Sequence, residues 1–395
     1  MWKVIGYIRI YVMKKAIVVG GSNGIGLAIT VELSNLYEEV TIIDRVIPSI
    51  ELSSNVGFRK INLLNEDFGF LSDYNDIDSL IITAGFGRVT PFSSIVEKEI
   101  DNSYQVNTIA ATKILHHYYP RMQQAEDFYC AVMGSIAGLV SSPLFALYGA
   151  TKAALCSLIE SLNVELEKSG TNNRILNVSP GSIKGTRFNG GDNDLTETTS
   201  LAKEIIQRMY SRSTLYIPQY DEIYKGVIGR YQTDSHQFGL DSYDYKMACG
   251  RFNDKPQIVV GYLSGTFDLF HIGHLNLLKR AKQHCDFLVV GIHKDASHKG
   301  KSTFIPYEER VEIIRSIKYV DRVIPSEPED SDIYVKNIVK YDRLFVGSDY
   351  MGTERFNRYE AFFADKGVEI IYFPYTQGTS STQLRDALAV ISSKQ

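Results

Sequence analysis

Four side chains in the first half of this 395-residue chain are spaced for proton transfer. Ser135 stands 13 residues before Tyr148, and Tyr148 and Lys152 are four apart in a segment, LYGATKAAL, that reads as a helix. That spacing puts phenol and ammonium on one face. A nearby ammonium and the positive ring of a bound cofactor lower a phenol's pKa, so Tyr148 can serve as a general acid or base near neutral pH. Ser135 can hydrogen-bond a substrate carbonyl or hydroxyl, and Asn107 can hold a water for proton relay. The second half carries a different set. His271 and His274 are three apart, with Gly273 between them, at the start of a helical pattern. Imidazole N–H groups there, with the helix dipole, can bind triphosphate oxygens and stabilise charge on a phosphorus in transfer. The same pair can also cap a helix or bind a metal, although the sequence names no third ligand.

Each set needs a strand, a glycine-containing turn and a helix to hold it. Ala16–Val19 is a short apolar run, hence a buried strand. It leads into Gly20-Gly21-Ser22-Asn23-Gly24-Ile25-Gly26 and then the helical pattern LAITVELSNL. Glycines allow a tight turn and close backbone approach to a pyrophosphate, which the helix N-terminus then faces. A second strand, Glu39–Ile43, ends at Asp44, where a carboxylate can accept hydrogen bonds from a ribose diol and repel a 2′-phosphate. That favours NAD(H); Arg45, which follows directly, keeps NADP(H) open. Strand Ser79–Thr83 leads to Ala84-Gly85, and a later turn holds Pro180, Gly181 and Ile183.

In the second half the strand IVVGYLSG opens into Gly265-Thr266-Phe267-Asp268-Leu269-Phe270-His271-Ile272-Gly273-His274, followed by the helical LNLLKRAKQH and the strand FLVVGI. Lys299 and Lys301 lie on a Gly/Ser-containing loop suited to phosphate neutralisation, or to simple solvation. Arg310 opens a helix, where it can reach phosphate or form a surface ion pair. Strand Leu344–Gly347 precedes Ser348-Asp349-Tyr350. Strand Glu369–Phe373 leads past Thr376 to Ser380, Ser381 and Thr382 before a helix. Small hydroxyl residues there cap a helix and also present N–H and O–H groups to phosphate.

The whole chain sets the bounds. At about 150 residues per domain its length suits two or three domains. With 44% hydrophobic residues it is not disordered, and with 11 Pro and 30 Gly it is not collagen-like. A net charge of −4 shows no basic excess of the kind a nucleic-acid binder carries. Four dispersed cysteines, Cys130, Cys156, Cys249 and Cys285, form no C-x-x-C pair, which argues against a disulfide framework and fits a reducing cytoplasm. No apolar run reaches the roughly 18 residues of a membrane span. Residues 1–12 read as an extension ahead of a natural start at Met13, or as an extra edge strand; residues 236–256 read as a linker or a partly ordered connection.

Residues 13–235 resemble the short-chain dehydrogenase/reductase family. The glycine pattern, the set Asn107–Ser135–Tyr148–Lys152 and the Pro180-Gly181 turn match it in order and spacing. The family's Asn-Asn-Ala-Gly is Ile82-Thr83-Ala84-Gly85 here, and Gly185 stands where a threonine is usual, with Thr186 next. The resemblance implies a catalytic tetrad, a nicotinamide dinucleotide and a substrate loop over residues 188–220. Residues 257–395 resemble the glycerol-3-phosphate cytidylyltransferase group of HxGH nucleotidyltransferases, through GTFDLFHIGH, KGK, YEER, KYVDRVIPSE, VGSDY and the terminal GTSST. That implies in-line attack of a phosphate oxygen on the α-phosphorus of CTP, with Mg²⁺ usual for such chemistry. His271 and His274 then stabilise the transition state, Lys299, Lys301 and Arg310 hold phosphates, and Gly265, Thr266, Phe267, Gly347, Asp349, Thr376 and the Ser380–Thr382 turn line the CTP site. The family's terminal Arg and Glu are Tyr375 and Gln377 here, which points away from glycerol 3-phosphate itself as acceptor.

The expected fold is α/β throughout, as two Rossmann-like domains with parallel sheets. The expected function is reduction of a keto-sugar phosphate to an alditol phosphate, then its conversion to a CDP-alditol for bacterial surface polymers such as capsule or teichoic acid. The alternatives are an adenylyl transfer, a reductase acting on an unrelated substrate, or an NAD-sensing module. Both resemblances imply a homodimer or homotetramer with small-molecule substrates and no nucleic-acid partner.

Overall fold

The computed structural model describes residues 13–64, 68–186, 188, 193–248, 258–297, 302–374 and 383–384. The chain divides into two compact units, Met1–Gln257 and Ile258–Gln395.

The first unit runs β1 (Met13–Val19), α1 (Gly24–Leu33), β2 (Tyr37–Asp44), β3 (Val56–Lys60), β4 (Ser79–Ile82), α2 (Glu97–Tyr104), α3 (Ala111–Met122), β5 (Tyr129–Met133), α4 (Ala146–Lys168), β6 (Ile175–Val178), α5 (Leu195–Tyr210), β7 (Leu215–Tyr216), α6 (Lys225–Thr233) and α7 (Ser235–Ala248). Its strands form one parallel sheet in the order β3-β2-β1-β4-β5-β6-β7. Successive residues of β1 feed opposite faces. Ile17 and Val19 pack with Leu115 and Ile159 on one side, while Ala16 and Val18 pack with Ile29 and Ile205 on the other. A strand buried on both faces has no room for polar alternation, which is why it reads as a continuous apolar run.

The second unit runs β8 (Val260–Gly265), α8 (Ile272–Gln283), β9 (Phe287–His293), α9 (Tyr307–Arg315), β10 (Arg322–Ser326), α10 (Asp330–Val335), β11 (Arg343–Gly347), α11 (Glu354–Phe363) and β12 (Glu369–Phe373). Its parallel sheet has the order β10-β9-β8-β11-β12. Here too the central strand divides its side chains, Leu263 going to one core and Tyr262 to the other. Both units are therefore α/β with parallel sheets. In each, strand order reverses beside the first strand, between β1 and β4 and between β8 and β11. Ligands of open α/β sheets bind in the crevice at the carboxyl ends of strands at such a switch point.

The structure departs from the sequence reading after residue 235. Residues 236–248 of the expected linker or partly ordered connection lie in helix α7. Phe238, 9% exposed, packs edge-on against Tyr231 of α6, and Lys246 Nζ donates to Ser142 Oγ at 2.8 Å and Ser242 Oγ at 2.9 Å. This helix carries little amphipathic pattern, because a single buried aromatic and one lysine anchor it. No helix among the described residues is long and apolar enough to cross a membrane.

Candidate active sites

In the first unit the glycine-rich turn joins β1 to α1. Gly20 has φ +87°, and a Cβ there would lie 2.4 Å from the Ala84 backbone nitrogen. A Cβ on Gly26 would lie 2.2 Å from Gly20 O. Neither position tolerates a side chain, so the turn is pressed against the end of β4. Ser22 is fully buried, and its Oγ has no hydrogen-bond partner among the described residues. Its backbone N–H donates to Asp44 Oδ2 at 3.1 Å, and Val46 N–H donates to Oδ1 at 3.2 Å. The Asp44 carboxylate is thus fixed at the end of β2, beside the turn. Thr186 packs on Gly24: a Cβ there would lie 3.3 Å from the threonine side chain. Asn193, a residue the sequence reading did not single out, accepts the Gly24 N–H on Oδ1 at 2.8 Å.

The tetrad residues converge past the ends of β4 and β5. A Cβ on Gly85 would lie 3.2 Å from Asn107 Oδ1 and 3.3 Å from Lys152 Nζ, so these three meet. Lys152 Nζ donates to Met133 O at 2.7 Å and lies 5.8 Å from the Tyr148 ring centroid. Ser135 hydrogen-bonds the Tyr148 side chain and accepts the Ala137 N–H at 3.2 Å. Burial pushes the Tyr148 phenol up from its ordinary value, against the opposing hydrogen bond with Ser135. Burial also brings Lys152 down to about 8. Desolvation outweighs the hydrogen bond from Ser135, so the tyrosine is held as a protonated acid. Its ring stacks on Phe145 at 4.3 Å and tilts against Phe188 at 5.2 Å, two aromatic neighbours the sequence did not reveal as a cluster.

Asn107 sits in a π-helical stretch, Gln105–Ala110, between α2 and α3. Its Oδ1 accepts the Phe86 N–H at 3.0 Å, and its Nδ2 donates to Phe86 O at 2.9 Å and Thr151 Oγ1 at 3.0 Å. Both amide protons are engaged by protein, so the side chain braces the segment after Gly85; a relay water would have to use the remaining Oδ1 lone pair or the backbone. The Pro180 carbonyl accepts the Ile136 N–H at 3.0 Å, which ties the Pro180-Gly181 turn to the segment after Ser135. Ile183 O accepts from Thr186 Oγ1 at 3.0 Å. Ala84 N–H donates to Val19 O at 3.1 Å.

In the second unit His271 is the N-cap of α8. Its Nδ1 accepts the Gly273 N–H at 3.1 Å, so in this bond the ring proton sits on Nε2. Burial lowers the His271 pKa, favouring the neutral ring. His271 and His274 stack with centroids 4.0 Å apart, and the Phe267 and Phe270 rings flank His274. Thr266 Oγ1 is buried without a hydrogen-bond partner among the described residues. Gly347 ends β11, the strand next to β8, and Asp349 follows in a short 3₁₀ turn.

Arg310 departs from its expected role. It is fully buried, and its guanidinium donates to Thr266 O at 2.6 Å, Ile305 O at 2.9 Å, His293 O at 2.9 Å and Lys294 O at 2.8 Å. These four carbonyls take four of its five N–H groups, so it clamps the loops around the site. Asp268, quoted within the motif but given no role, is 4% exposed; its carboxylate accepts the N–H groups of Phe304 at 3.1 Å and Ile305 at 2.9 Å. Lys299, Lys301, Thr376, Ser380, Ser381 and Thr382 lie outside the described residues, as do residues 1–12. No group of three His, Cys, Asp or Glu side chains placed to hold a metal ion occurs among the described residues.

Comparison with known proteins matches both units. A short chain dehydrogenase family model matches residues 69–195, and a cytidylyltransferase-like model matches residues 262–387. The chain is 41% identical over 130 residues to the glycerol-3-phosphate cytidylyltransferase of Bacillus subtilis, covering 32% of this chain and 93% of that one. By its C-terminal unit the chain belongs to the glycerol-3-phosphate cytidylyltransferase family. Its N-terminal unit is a short-chain dehydrogenase domain, so the protein is an oxidoreductase fused to a nucleotidyltransferase. The dehydrogenase unit is also 27% identical over 189 residues to the uncharacterized oxidoreductase TDA5 of Saccharomyces cerevisiae, covering 44% of this chain and 56% of that one. Among solved structures, a short chain dehydrogenase from Burkholderia cenocepacia in complex with NADP aligns at 19% identity and a TM-score of 0.49, over 58% of this chain and 99% of that chain.

Proposed function

We propose that the dehydrogenase unit reduces the carbonyl of a keto-sugar phosphate to an alditol phosphate, and that the cytidylyltransferase unit transfers CMP from CTP to that product. The result is a CDP-alditol of the CDP-ribitol or CDP-glycerol kind, suited to building bacterial surface polysaccharide. The observation that carries the reading is that one chain joins the Ser135–Tyr148–Lys152 cluster to the stacked His271–His274 pair. An alcohol made at the first site is the kind of acceptor used at the second.

The turn of the first unit fits a dinucleotide: side chains are excluded at Gly20 and Gly26, Ser22 Oγ is buried without a partner among the described residues, and Asp44 is fixed where a ribose diol would meet it. Asp44 favours NAD(H), and NADP(H) is the competing choice. The reduced nicotinamide supplies the hydride. Ser135 orients the substrate carbonyl, and Tyr148, kept protonated by burial, donates its proton to the carbonyl oxygen. Lys152, held on Met133 O, supplies positive charge beside the phenol.

At the second site a phosphate oxygen of the alditol phosphate attacks the α-phosphorus of CTP, and pyrophosphate leaves. His271, with its proton on Nε2, and His274 donate to oxygens on which charge grows. Thr266 Oγ offers a further hydroxyl donor. The described residues hold no ligand cluster for Mg²⁺, and no step is assigned to it.

A coupled product assay tests the reading. The protein is incubated with NADH or NADPH, CTP, Mg²⁺ and three- to six-carbon keto-sugar phosphates, then separately with the matching alditol phosphates, and CDP-linked products are read by mass spectrometry. A CDP-alditol formed from a ketose phosphate only with both cofactor and CTP is the expected result. Tyr148→Phe should abolish it while leaving conversion of the preformed alditol phosphate intact. Product from no polyol phosphate would sink the proposal.

A further inference from the structure

The N-terminal turn of α1 already has an occupant from its own chain. Gly24 opens the helix, and Asn23, at the cap position, makes no side-chain cap bond. Backbone N–H groups at such a position are the donors a pyrophosphate would use. Asn193 Oδ1 accepts the Gly24 N–H at 2.8 Å, and Asn193 Nδ2 donates to Asn23 Oδ1 at 3.1 Å. The carboxamide therefore bonds the turn at both ends, from 169 residues away in sequence. In the same turn Ser22 is fully buried, and its Oγ has no hydrogen-bond partner among the described residues. Asn193 immediately precedes Asp194, the N-cap of α5, whose side chain accepts the Thr196 N–H at 2.8 Å. The segment that delivers Asn193 is thus anchored to a 16-residue helix.

We propose that Asn193 is an internal competitor for the dinucleotide pyrophosphate. Its carboxamide oxygen stands in for a phosphate oxygen on Gly24 N–H, and a nicotinamide dinucleotide must displace it to bind. The inference rests on reading the glycine-rich turn as the dinucleotide site. Its consequence is that Asn193 sets cofactor affinity without taking part in the chemistry, and that cofactor binding breaks the tether between the start of α5 and the turn. Because α5 lies within the substrate loop expected over residues 188–220, that release couples the first ligand to the second.

The test is the dissociation constant for NADH and NADPH, measured by fluorescence titration of the full chain. Asn193→Ala removes the competitor and should tighten binding about two- to tenfold, the worth of one exchanged hydrogen bond. Asn193→Asp puts a carboxylate on the same N–H. It should weaken binding at least about fivefold, with the loss shrinking at high salt. Opposite signs in two small substitutions are what competition predicts; a merely structural role would weaken both. Unchanged or weaker binding by Asn193→Ala, while the wild-type protein binds, overturns the competitor alone. If neither protein binds a nicotinamide dinucleotide, the dinucleotide reading fails and the competitor falls with it.

Discussion

The two turns that follow the first strand of each sheet solve one problem by different means. Both must pack a short connection against a parallel sheet and aim a helix N-terminus into the crevice. The turn after β1 places its positive φ on glycine, +87° at Gly20, where the left-handed region costs nothing. The turn after β8 places it on Phe267, φ +53°, and Leu269, φ +50°. Side chains there carry a strain of roughly 1–2 kcal/mol per residue. Something must hold them, and the structure shows what. Arg310 binds the Thr266 carbonyl, and Asp268, between the two strained residues, binds the N–H groups of Phe304 and Ile305. One turn is shaped by the absence of side chains. The other is shaped by a buried cation reaching in to Thr266 and a buried anion of its own, Asp268, reaching out to Phe304 and Ile305. Local backbone freedom survives most changes elsewhere, whereas a clamp is lost with a single residue.

That contrast can be broken most severely at Arg310. Arg310→Ala leaves four buried carbonyls without their donor and should destabilise the second unit by at least about 3 kcal/mol in denaturant unfolding. Transfer of CMP should fall more than about a hundredfold while ketone reduction stays at the wild-type rate. Equal loss in both activities would mean that the units do not fail independently. In the first unit the matching change is Gly26→Ala. A methyl group 2.2 Å from Gly20 O forces the turn away from β4, and nicotinamide dinucleotide affinity should drop at least about tenfold, leaving CMP transfer unchanged. Calorimetric titration of both ligands on this variant reads the two effects together.

A pH profile sharpens the electrostatic side. Burial brings Lys152 to about 8 and pushes Tyr148 up, so on raising the pH the lysine loses its proton first. Lys152 is charged below about 8 and neutral above. The reduction rate should therefore hold at lower pH and fall toward about tenfold per unit above pH 8, with no such limb in CMP transfer. A flat profile to pH 10 would show that the ammonium is not used. The smallest effect is expected at Leu269→Gly. Relief of the φ +50° strain should stabilise the second unit by at most about 1 kcal/mol, offset in part by lost apolar contact, as read from its unfolding midpoint. Marked destabilisation would show that the side chain, rather than the backbone angle, matters there.

Much of the architecture was legible because it rests on local rules. The apolar runs at Ala16–Val19 and Phe287–Ile292 are strands for a physical reason: a strand covered on both faces has nowhere to place polar side chains. The i, i+4 spacing of Tyr148 and Lys152 is the same in any helix, so the pair could be named before the fold was known. What failed was whatever depended on partners remote in sequence. Residues 235–248 carry no clear period, yet they form a helix held by Phe238 and Lys246. Arg310 looked like a phosphate ligand because a cation near a nucleotide motif usually is one; only the fold brings four carbonyls around it. Spacing alone also does not show that the Tyr148 phenol is buried, beside Phe145 and Phe188, and that this burial raises its pKa.

By itself, the sequence determined the class of each unit, the strand–turn–helix that opens it and the residue types that meet at each site. These follow from side-chain period and from the conformational freedom of glycine, which act over a few residues. The tertiary structure alone decided which charges are desolvated, which donors are already taken and which loop is clamped. Burial and hydrogen-bond satisfaction are set by atoms that arrive from distant parts of the chain, as Asn193 does at Gly24.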